Sequence, residues 1–380
     1  MANCPIRILD GGLGTSLQDR YGVEFSSAAT PLWSSHLLAT GPQSEPETLL
    51  QRCQADFCRA GADVLETATY QISTAGLART RVLPDHPDGI VEPADVYQFL
   101  ERAVAVAEAA GNVETEAKTT KHETAPSIAL SLGPYGACMI PSTEYSGAYD
   151  FDGRNTTALR RWHADRLRLF DVGVNRLADR VRYLAFETVP RLDEIVAVRQ
   201  LYNVSGNHGD TDTIPSRLAA LPYWISCVFP GDSAHEPPAT LPDGSTVEQA
   251  VEAMLTSSSS THLPWGIGIN CTKIGRLPQL IERYEAAVES LVATGRLSDW
   301  PALVLYPDGT NGEVYNTTTQ RWEMPAGVSA PKDPWEAQLS QMVLDAASRG
   351  KWREILVGGC CKATDRDIKA LKASLREPRP

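Results

Sequence analysis

The chain has 380 residues, of which 42% are hydrophobic, and a formal net charge of −12. This length permits one large α/β barrel or two ordinary domains. The sequence shows no basic stripe with interleaved aromatic residues, which argues against nucleic acid as a partner. No apolar run approaches the roughly 18 to 20 residues that span a bilayer, and the first ten residues lack the pattern of a signal peptide. We therefore expect no membrane partner and a cytoplasmic location.

Short β-rich runs recur along the chain, and most are followed by a helical pattern. The predicted strands are 6–10, 63–67, 127–132, 183–187, 223–228, 266–270, 302–306 and 354–358. The predicted helices are 47–60, 93–110, 156–178, 192–202, 246–255, 277–294, 334–348 and 365–375. Eightfold strand–helix alternation predicts the α/β class and a (β/α)8 TIM barrel. A doubly wound open sheet is the alternative, because alternation alone does not show closure.

Three polar segments interrupt this alternation, at 111–124, 203–215 and 230–262. Their content of charged residues, or of Asn, Gly, Pro and Ser, is typical of surface loops. No domain linker is evident. We therefore predict a single barrel domain over 1–380 with three surface insertions.

Three of the eight cysteines stand where predicted strands end. Cys271 follows the run 265–270, and Cys360 and Cys361 follow two glycines after the last strand. The C-terminal ends of barrel strands share one face, which carries the active site. Three thiolates can hold zinc tetrahedrally and leave the fourth position open, as in catalytic zinc sites. The alternative is that these are small buried residues. In a reducing cytosol all eight cysteines are expected to be thiols.

The ligand set favours one type of chemistry. A zinc ion held by thiolates can bind an incoming thiol and keep it deprotonated, and the thiolate is the nucleophile. No histidine stands at a predicted strand end in an H-x-x-H or H-E-x-x-H pattern. The sequence therefore favours alkylation of a thiol over hydrolysis.

Other polar residues at strand ends suit an amino-acid substrate. The glycine-rich turn 10–14 offers backbone N–H groups at a helix entrance, where a carboxylate can bind. Asp10 and Glu187 could together bind an ammonium group. We assign Thr67 and Asn270, also at strand ends, to the same substrate-binding set. An amino-acid thiol would satisfy the turn, the acids and the metal together.

These motifs resemble the homocysteine S-methyltransferase family over nearly the whole chain. The most specific are 268–272 (Gly-Ile-Asn-Cys-Thr) and 358–361 (Gly-Gly-Cys-Cys). The resemblance is supported by three further runs, 186–188 (Phe-Glu-Thr), 31–34 (Pro-Leu-Trp-Ser) and 66–71 (Glu-Thr-Ala-Thr-Tyr-Gln).

The resemblance implies a site for L-homocysteine as the methyl acceptor on a (β/α)8 barrel. It implies that Cys271, Cys360 and Cys361 bind Zn2+. It also implies that Asp10 and Glu187 lie near the substrate amino group, with Gly11 and Gly12 near its carboxylate.

The methyl donor is suggested less directly. The run 31–34 resembles the branch of the family that uses S-methylmethionine or S-adenosylmethionine, although the betaine-using branch shares the zinc motifs. Trp33, Tyr70 and Tyr135 are candidates to contact a sulfonium cation. The predicted function is zinc-dependent methyl transfer to homocysteine, giving methionine. The alternatives are betaine-dependent methylation, methylation of selenocysteine or another thiol, and a non-catalytic zinc- or thiol-binding barrel.

Overall fold

The eight strands predicted from the sequence all form, together with one further two-stranded ribbon. The computed structural model describes residues 4–26, 30–80, 89–117, 125–171, 177–203, 212–231, 239–256, 262–310, 312–316, 321–324 and 333–376. The strands within them are β1 (Ile6–Ile8), β2 (Val64–Glu66), β3 (Ser127–Leu132), β4 (Tyr183–Val189), β5 (Tyr223–Cys227), β6 (Gly266–Asn270), β7 (Ala302–Tyr306), β8 (Val314–Asn316), β9 (Arg321–Glu323) and β10 (Ile355–Val357).

Helices follow most of the strands. The α-helices are α1 (Leu13–Tyr21), α2 (Glu45–Ala60), α3 (Thr74–Arg79), α4 (Pro93–Ala117), α5 (Thr156–Leu169), α6 (Leu177–Arg180), α7 (Leu192–Gln200), α8 (Ser216–Ala219), α9 (Val247–Leu255), α10 (Leu277–Ala293), α11 (Trp335–Ser348) and α12 (Asp365–Arg376). Three 3₁₀-helices span Trp33–Thr40, Tyr135–Cys138 and Ile274–Arg276. No described helix combines the length and hydrophobicity needed to cross a bilayer.

The main sheet is a barrel of eight parallel strands in the order β1-β10-β7-β6-β5-β4-β3-β2. A parallel bridge between Leu9 and Val64 joins the two outer strands, and the amide of Asp63 donates to the carbonyl of Ile8 at 2.7 Å. These contacts confirm the (β/α)8 prediction and exclude the open-sheet alternative. The ribbon β8–β9 is antiparallel and separate from the barrel.

Side-chain alternation along the strands separates the barrel interior from the helix layer. Val64, Ala185 and Trp224 belong to a buried interior cluster, whereas Leu65 belongs to the larger cluster that includes the helices. Since side chains on a strand alternate between faces, the residues two positions beyond Val64 and Ala185 also point inward. These residues are Glu66 and Glu187, so both acids enter the barrel near its C-terminal mouth.

The ends and the buried face of helix α2 follow from its local sequence. Ser44 accepts a hydrogen bond from the amide of Glu47 at 3.4 Å and caps the N-terminus, and Gly61 ends the helix with a φ of 99°. Glycine tolerates that left-handed conformation at no steric cost. The apolar face predicted from the spacing is buried, including Leu50 and Phe57.

Several predicted boundaries were wrong. The predicted helix 156–178 ends at Leu169, and α6 is a separate turn, while 172–176 lie outside the described residues. Helix α4 continues to Ala117, so the first half of the predicted loop 111–124 is helical. The reason is that 112–117 (Asn-Val-Glu-Thr-Glu-Ala) contains no helix breaker. Of the other insertions, 204–211, 232–238 and 257–261 lie outside the described residues.

Candidate active site

The three predicted cysteines meet at the mouth of the barrel. The Sγ atoms of Cys271, Cys360 and Cys361 all lie within 4.8 Å of one another. Ligands held about 2.3 Å from a tetrahedral ion would be about 3.8 Å apart, so the cluster is of the right size for one metal ion. All three donors are sulfur, which suits a soft or borderline metal.

Two of these sulfurs are bonded in the structure. The Cα atoms of Cys271 and Cys360 are 5.5 Å apart, and their sulfurs form a disulfide. This separation lies within the usual range for a disulfide. The ends of β6 and β10 therefore bring these two sulfurs together, and the pair must be reduced before both can bind a metal. The expectation that these cysteines are thiols in the cell remains a prediction. Burial raises the pKa of the third thiol, Cys361, to about 11.

An unusual backbone conformation and two polar neighbours orient Cys271. Its φ is 47°, and the φ of Thr188 is 56°. Such left-handed values are strained for residues other than glycine and cluster at functional sites. The Asn270 amide nitrogen lies 3.5 Å from the Cys271 sulfur, and the Thr188 hydroxyl lies 3.8 Å from it. Both side chains can donate to this sulfur.

The Cys360–Cys361 turn packs tightly against the first strand and helix of the chain. The Gly12 amide donates to the carbonyl of Ala363 at 2.9 Å, and the Gly359 amide donates to the carbonyl of Asp10 at 3.0 Å. A Cβ on Gly12 would collide with the carbonyl oxygen of Cys360. The two glycines thus let the backbones approach and set the position of both sulfurs.

These contacts change the interpretation of the glycine-rich turn. Because the Gly12 N–H is bonded within the fold, Gly12 positions the cysteine turn and its amide is not free for a substrate carboxylate in this conformation. A Cβ on Gly11 would lie 2.7 Å from the Phe57 ring, so close packing also restricts this position. The proposal that Gly11 lies near a substrate carboxylate remains a prediction.

The two predicted acids are buried at the same mouth. Asp10 is 3% exposed and Glu187 is 4% exposed. Asp10 accepts from the Glu66 amide at 2.8 Å through Oδ2, while its Oδ1 has no partner. Glu187 accepts from the Ser131 hydroxyl at 2.5 Å. Burial raises the pKa of Asp10, and it raises the pKa of Glu187 to about 7.

Glu66 is a third acid of this site, and it was not among the predicted site residues. Its Oε1 is buried without a partner, and its side chain is hydrogen-bonded to Glu187. Burial is the main cause of its raised pKa, and the charges of Glu187 and Asp10 raise that pKa further. Period-two alternation from Val64 was the available signal. The three acids form a pocket that an ammonium group would neutralise.

Thr67 and Asn270 form hydrogen bonds to neighbouring residues at the ends of the strands. The Thr67 hydroxyl accepts from the Ser131 amide at 3.2 Å and lies 2.7 Å from the Thr69 hydroxyl. Asn270 is fully buried and bonded to Thr188. Both lie near the predicted ligands, but their observed partners are protein groups, so direct substrate contact remains a prediction.

The three aromatic candidates have different surroundings. Tyr70 lies at the site, since its hydroxyl is bonded to Thr188 and its ring lies against Gly133. Tyr135 packs into a cluster with Tyr149, Phe151 and Trp162, and its hydroxyl donates to Asp150 at 2.8 Å.

Trp33 stacks on Phe25 with ring centroids 5.1 Å apart. The ring of Trp33 and that of Tyr135 are thus engaged in packing, and only Tyr70 is oriented toward the cysteines.

A buried arginine fixes Tyr70. Arg166 on α5 is 2% exposed and donates to the backbone carbonyls of Thr69, Tyr70 and Gly133, at 3.1, 2.6 and 2.5 Å. These carbonyls belong to the turns that follow β2 and β3. The single side chain therefore ties two strand-end turns together, which holds the Tyr70 ring at the mouth of the barrel.

The turn after the second 3₁₀-helix also reaches the cysteines. The Tyr145 hydroxyl lies 3.7 Å from the Cys361 sulfur. The neighbouring Glu144 is 8% exposed, and its Oε2 has no partner. Neither residue was predicted. The signal was a long segment without apolar periodicity after β3, at the functional face of the barrel.

Comparison with known proteins identifies the family of this chain. The family model described as homocysteine S-methyltransferase matches residues 7–375. The chain belongs to the homocysteine S-methyltransferase family. It is 29% identical over 373 residues to homocysteine S-methyltransferase of Escherichia coli (strain K12), covering 97% of this chain and 94% of that protein.

Another relative is named for its methyl donor. The chain is 27% identical over 374 residues to betaine-homocysteine S-methyltransferase of Drosophila melanogaster, covering 97% of this chain and 93% of that protein. It superposes on the metallated form of the homocysteine methyltransferase MmuM from Escherichia coli with a TM-score of 0.59 and 25% identity, covering 97% and 96% of the two chains. The cysteine cluster of this homocysteine S-methyltransferase family member is thus consistent with a metal site.

Proposed function

We propose that the protein transfers a methyl group from a sulfonium donor, S-methylmethionine or S-adenosylmethionine, to the sulfur of L-homocysteine, giving methionine. The observation that carries this proposal is the joint position of the sulfur cluster and the acidic pocket. Three sulfurs within 4.8 Å and the buried Asp10 and Glu187 stand at one barrel mouth. A thiol and an ammonium group on one small molecule would fit the two parts.

The proposed metal is zinc, bound by Cys271, Cys360 and Cys361. When bound, zinc supplies a positive charge that keeps a substrate thiol deprotonated at neutral pH. Three protein ligands leave a fourth position for the substrate.

The acidic residues orient the acceptor. An ammonium group placed against the unpartnered Asp10 Oδ1 would pair with Asp10 and Glu187 and favour their ionised forms. Ser131 and the Glu66 amide hold these carboxylates in place. Binding of the substrate amino group fixes the direction in which its sulfur points, toward the donor. This orientation lowers the entropic cost of reaching the transition state.

In the proposed reaction, the bond between the donor sulfur and its methyl carbon breaks as a bond from that carbon to the homocysteine sulfur forms. The electron pair of the broken bond stays on the donor, which leaves as a neutral thioether. The positive charge of the donor and the negative charge of the thiolate cancel. No base is needed during the transfer itself.

Betaine is the second candidate donor, because the Drosophila relative is named for it. Selenocysteine or another thiol is an alternative acceptor, since a selenol would meet the same sulfur cluster. The catalytically silent zinc- or thiol-binding barrel is disfavoured because the sulfurs and the acids are both in place.

The test is product detection with purified protein, one equivalent of zinc, and homocysteine together with S-methylmethionine, S-adenosylmethionine or betaine in parallel. We expect methionine with at least one sulfonium donor. Selenocysteine and cysteine replace homocysteine in matched assays. Methionine formation from betaine alone would reject the sulfonium donor, and no methylated product from any pair would reject the enzyme.

A further inference from the structure

Glu144 is a buried acid that no step of the acceptor chemistry uses. It is 8% exposed, and its Oε2 is buried with no hydrogen-bond partner. The hydroxyl of Ser142 and the backbone amide of Glu144 itself account for the hydrogen bonds to the carboxyl group. Among the described residues, no lysine, arginine or histidine forms an ion pair with it. A buried carboxylate without a counter-ion is destabilising, which is a reason to expect a cationic ligand.

The position of Glu144 is fixed by the turn that carries it. The Thr143 amide donates to the carbonyl of Gly136 at 2.9 Å, and the Gly147 amide donates to the carbonyl of Thr143 at 2.8 Å. A Cβ on Gly136 would lie 3.0 Å from the Glu144 nitrogen. The turn is thus packed against the second 3₁₀-helix, and the carboxylate is held near the site.

Two tyrosines connect this carboxylate with the sulfur cluster. The Tyr145 hydroxyl is 3.7 Å from the Cys361 sulfur, while the residue is 45% exposed. Tyr70 lies close enough to Glu144 and Cys361 for the charges of both to raise the pKa of its hydroxyl, although burial is the larger cause. Aromatic rings attract onium cations through their faces.

The electrostatics of this side of the mouth are negative. The charges of Asp308 and Glu144 both act on Cys361. Asp308 already has a cation, because Lys273 lies 3.2 Å from it. Burial raises the pKa of Glu144 to about 6, so the carboxylate is still mainly ionised at neutral pH. Glu144 is therefore the acid on this side that is available to a bound cation.

We propose that Glu144, flanked by Tyr70 and Tyr145, forms the subsite that receives the positive charge of an onium methyl donor. This inference rests on the methyltransferase function proposed above. Transfer removes the charge from the donor, so the thioether product loses its attraction to Glu144 while the cationic donor keeps it. The subsite thus favours binding of the donor and release of its product.

The test compares a donor with its own product, which differ by one methyl group and one charge. S-methylmethionine and methionine form such a pair, as do S-adenosylmethionine and S-adenosylhomocysteine. The assay uses whichever sulfonium donor the wild type accepts. The measured quantity is the inhibition constant of the thioether divided by the KM of the donor.

We expect Glu144→Gln to lower this ratio at least tenfold, mainly by raising the KM of the donor, while the KM of homocysteine changes less than threefold. Asp152→Asn is the matched control, because it removes the same charge from an exposed residue of the same segment. It should leave the ratio unchanged. Tyr145→Leu, at an exposed residue, gives a second variant that should raise the donor KM even where Glu144→Gln folds poorly.

The outcomes separate this inference from the proposed function. An active wild type whose Glu144→Gln and Tyr145→Leu variants keep the ratio would overturn the subsite alone. Homocysteine methylation that requires a folate donor would also overturn it, because that donor is not an onium cation. A wild type that makes no methionine from homocysteine with any donor would overturn the function itself.

Discussion

Asn270 and Thr188 bond each other reciprocally across the end of β5. The Asn270 amide nitrogen donates to the Thr188 hydroxyl at 2.7 Å, and the Thr188 backbone amide donates to the Asn270 side-chain oxygen at 2.8 Å. Both side chains also face the Cys271 sulfur. This pair couples the ends of β4 and β6, so the conformation of one metal-ligand candidate depends on two buried side chains.

Replacing Asn270 should therefore weaken both the fold and the metal site. Asn270→Ala leaves the Thr188 amide buried without an acceptor, which costs about 1–3 kcal/mol. We expect that loss in the free energy of unfolding, measured by urea denaturation, together with faster loss of bound metal to a chelator. Asn155→Ala is the control, because Asn155 caps α5 through a 3.0 Å bond to the Ala158 amide.

The capping variant should lose about 1 kcal/mol of stability but keep its metal as the wild type does. Equal metal loss in the two variants would show that the effect follows stability alone.

Removing any one sulfur should empty the metal site. Cys271→Ser, Cys360→Ser and Cys361→Ser should each lower bound metal from about one ion per chain to well below half, because structural and catalytic zinc sites need at least three good ligands. Metal content is measured by elemental analysis after reduction and reconstitution. Cys138→Ser is the control, since its sulfur bonds the carbonyl of Gln71 at 3.4 Å and lies outside the cluster. Full occupancy in any of the first three would contradict the assignment.

The pH dependence of stability should report on Glu187. Burial raises its pKa from 4.5 to about 7, so in that interval the folded state binds a proton that the unfolded state has released. The protonated Glu187 therefore contributes fully to the free energy of unfolding below about pH 4.5, and this contribution is lost as the pH rises through 7. The loss is on the order of 3 kcal/mol.

Glu187→Gln, a mimic of the neutral form, should accordingly gain stability relative to the wild type between pH 5 and pH 8 in urea titrations. Glu289→Gln, at a residue whose side chain is 60% exposed, should show no such trend. A Glu187→Gln curve parallel to that of the wild type would refute the raised pKa. The same variant should raise the KM of homocysteine, because it removes a carboxylate from the ammonium pocket.

A pair of glycine substitutions separates packing at the site from packing elsewhere. A Cβ on Gly12 would collide with the Cys360 carbonyl, whereas a Cβ on Gly275 would meet no atom within 4 Å. Gly12→Ala should displace the cysteine turn and lower metal affinity and turnover at least tenfold. Gly275→Ala should leave both unchanged. Metal titration and methionine formation measure the two effects, and a fully active Gly12→Ala variant would show that the turn can shift without harm.

The barrel fold could be predicted from the sequence because most of its strands are short apolar runs followed by a helix. Strand 266–270 and strand 302–306 were predicted with the bounds that form. The helix ends were predicted less well. Helix α5 ends at Leu169, and the sequence that follows contains Gly173 and Asn175, which have low helix propensity.

The site was predictable where it depended on residue type and strand position. The three cysteines and Asp10 stand within a few residues after strands, and Glu187 lies near the C-terminal end of β4, so barrel geometry brings them together. Glu66, Glu144 and Tyr145 were missed. Strand alternation from Val64 points to Glu66, whereas the non-periodic segment after β3 points to a region and not to Glu144 or Tyr145 themselves, whose positions depend on packing across the mouth. Contact of Trp33 and Tyr135 with a methyl donor remains a prediction. The cytoplasmic location and the surface placement of the insertions remain predictions.

The order of the cysteines along the chain has a consequence for assembly. Cys271 follows β6, whereas Cys360 and Cys361 follow β10, which pairs with both β7 and β1. The turn that carries the last two sulfurs is also held by Gly12 at the other end of the chain. The three sulfurs therefore cannot meet until β10 and the turn that follows it have been synthesised. Chains shortened to end before β10 would keep Cys271 but lack the other two sulfurs, so this cluster could not assemble in them.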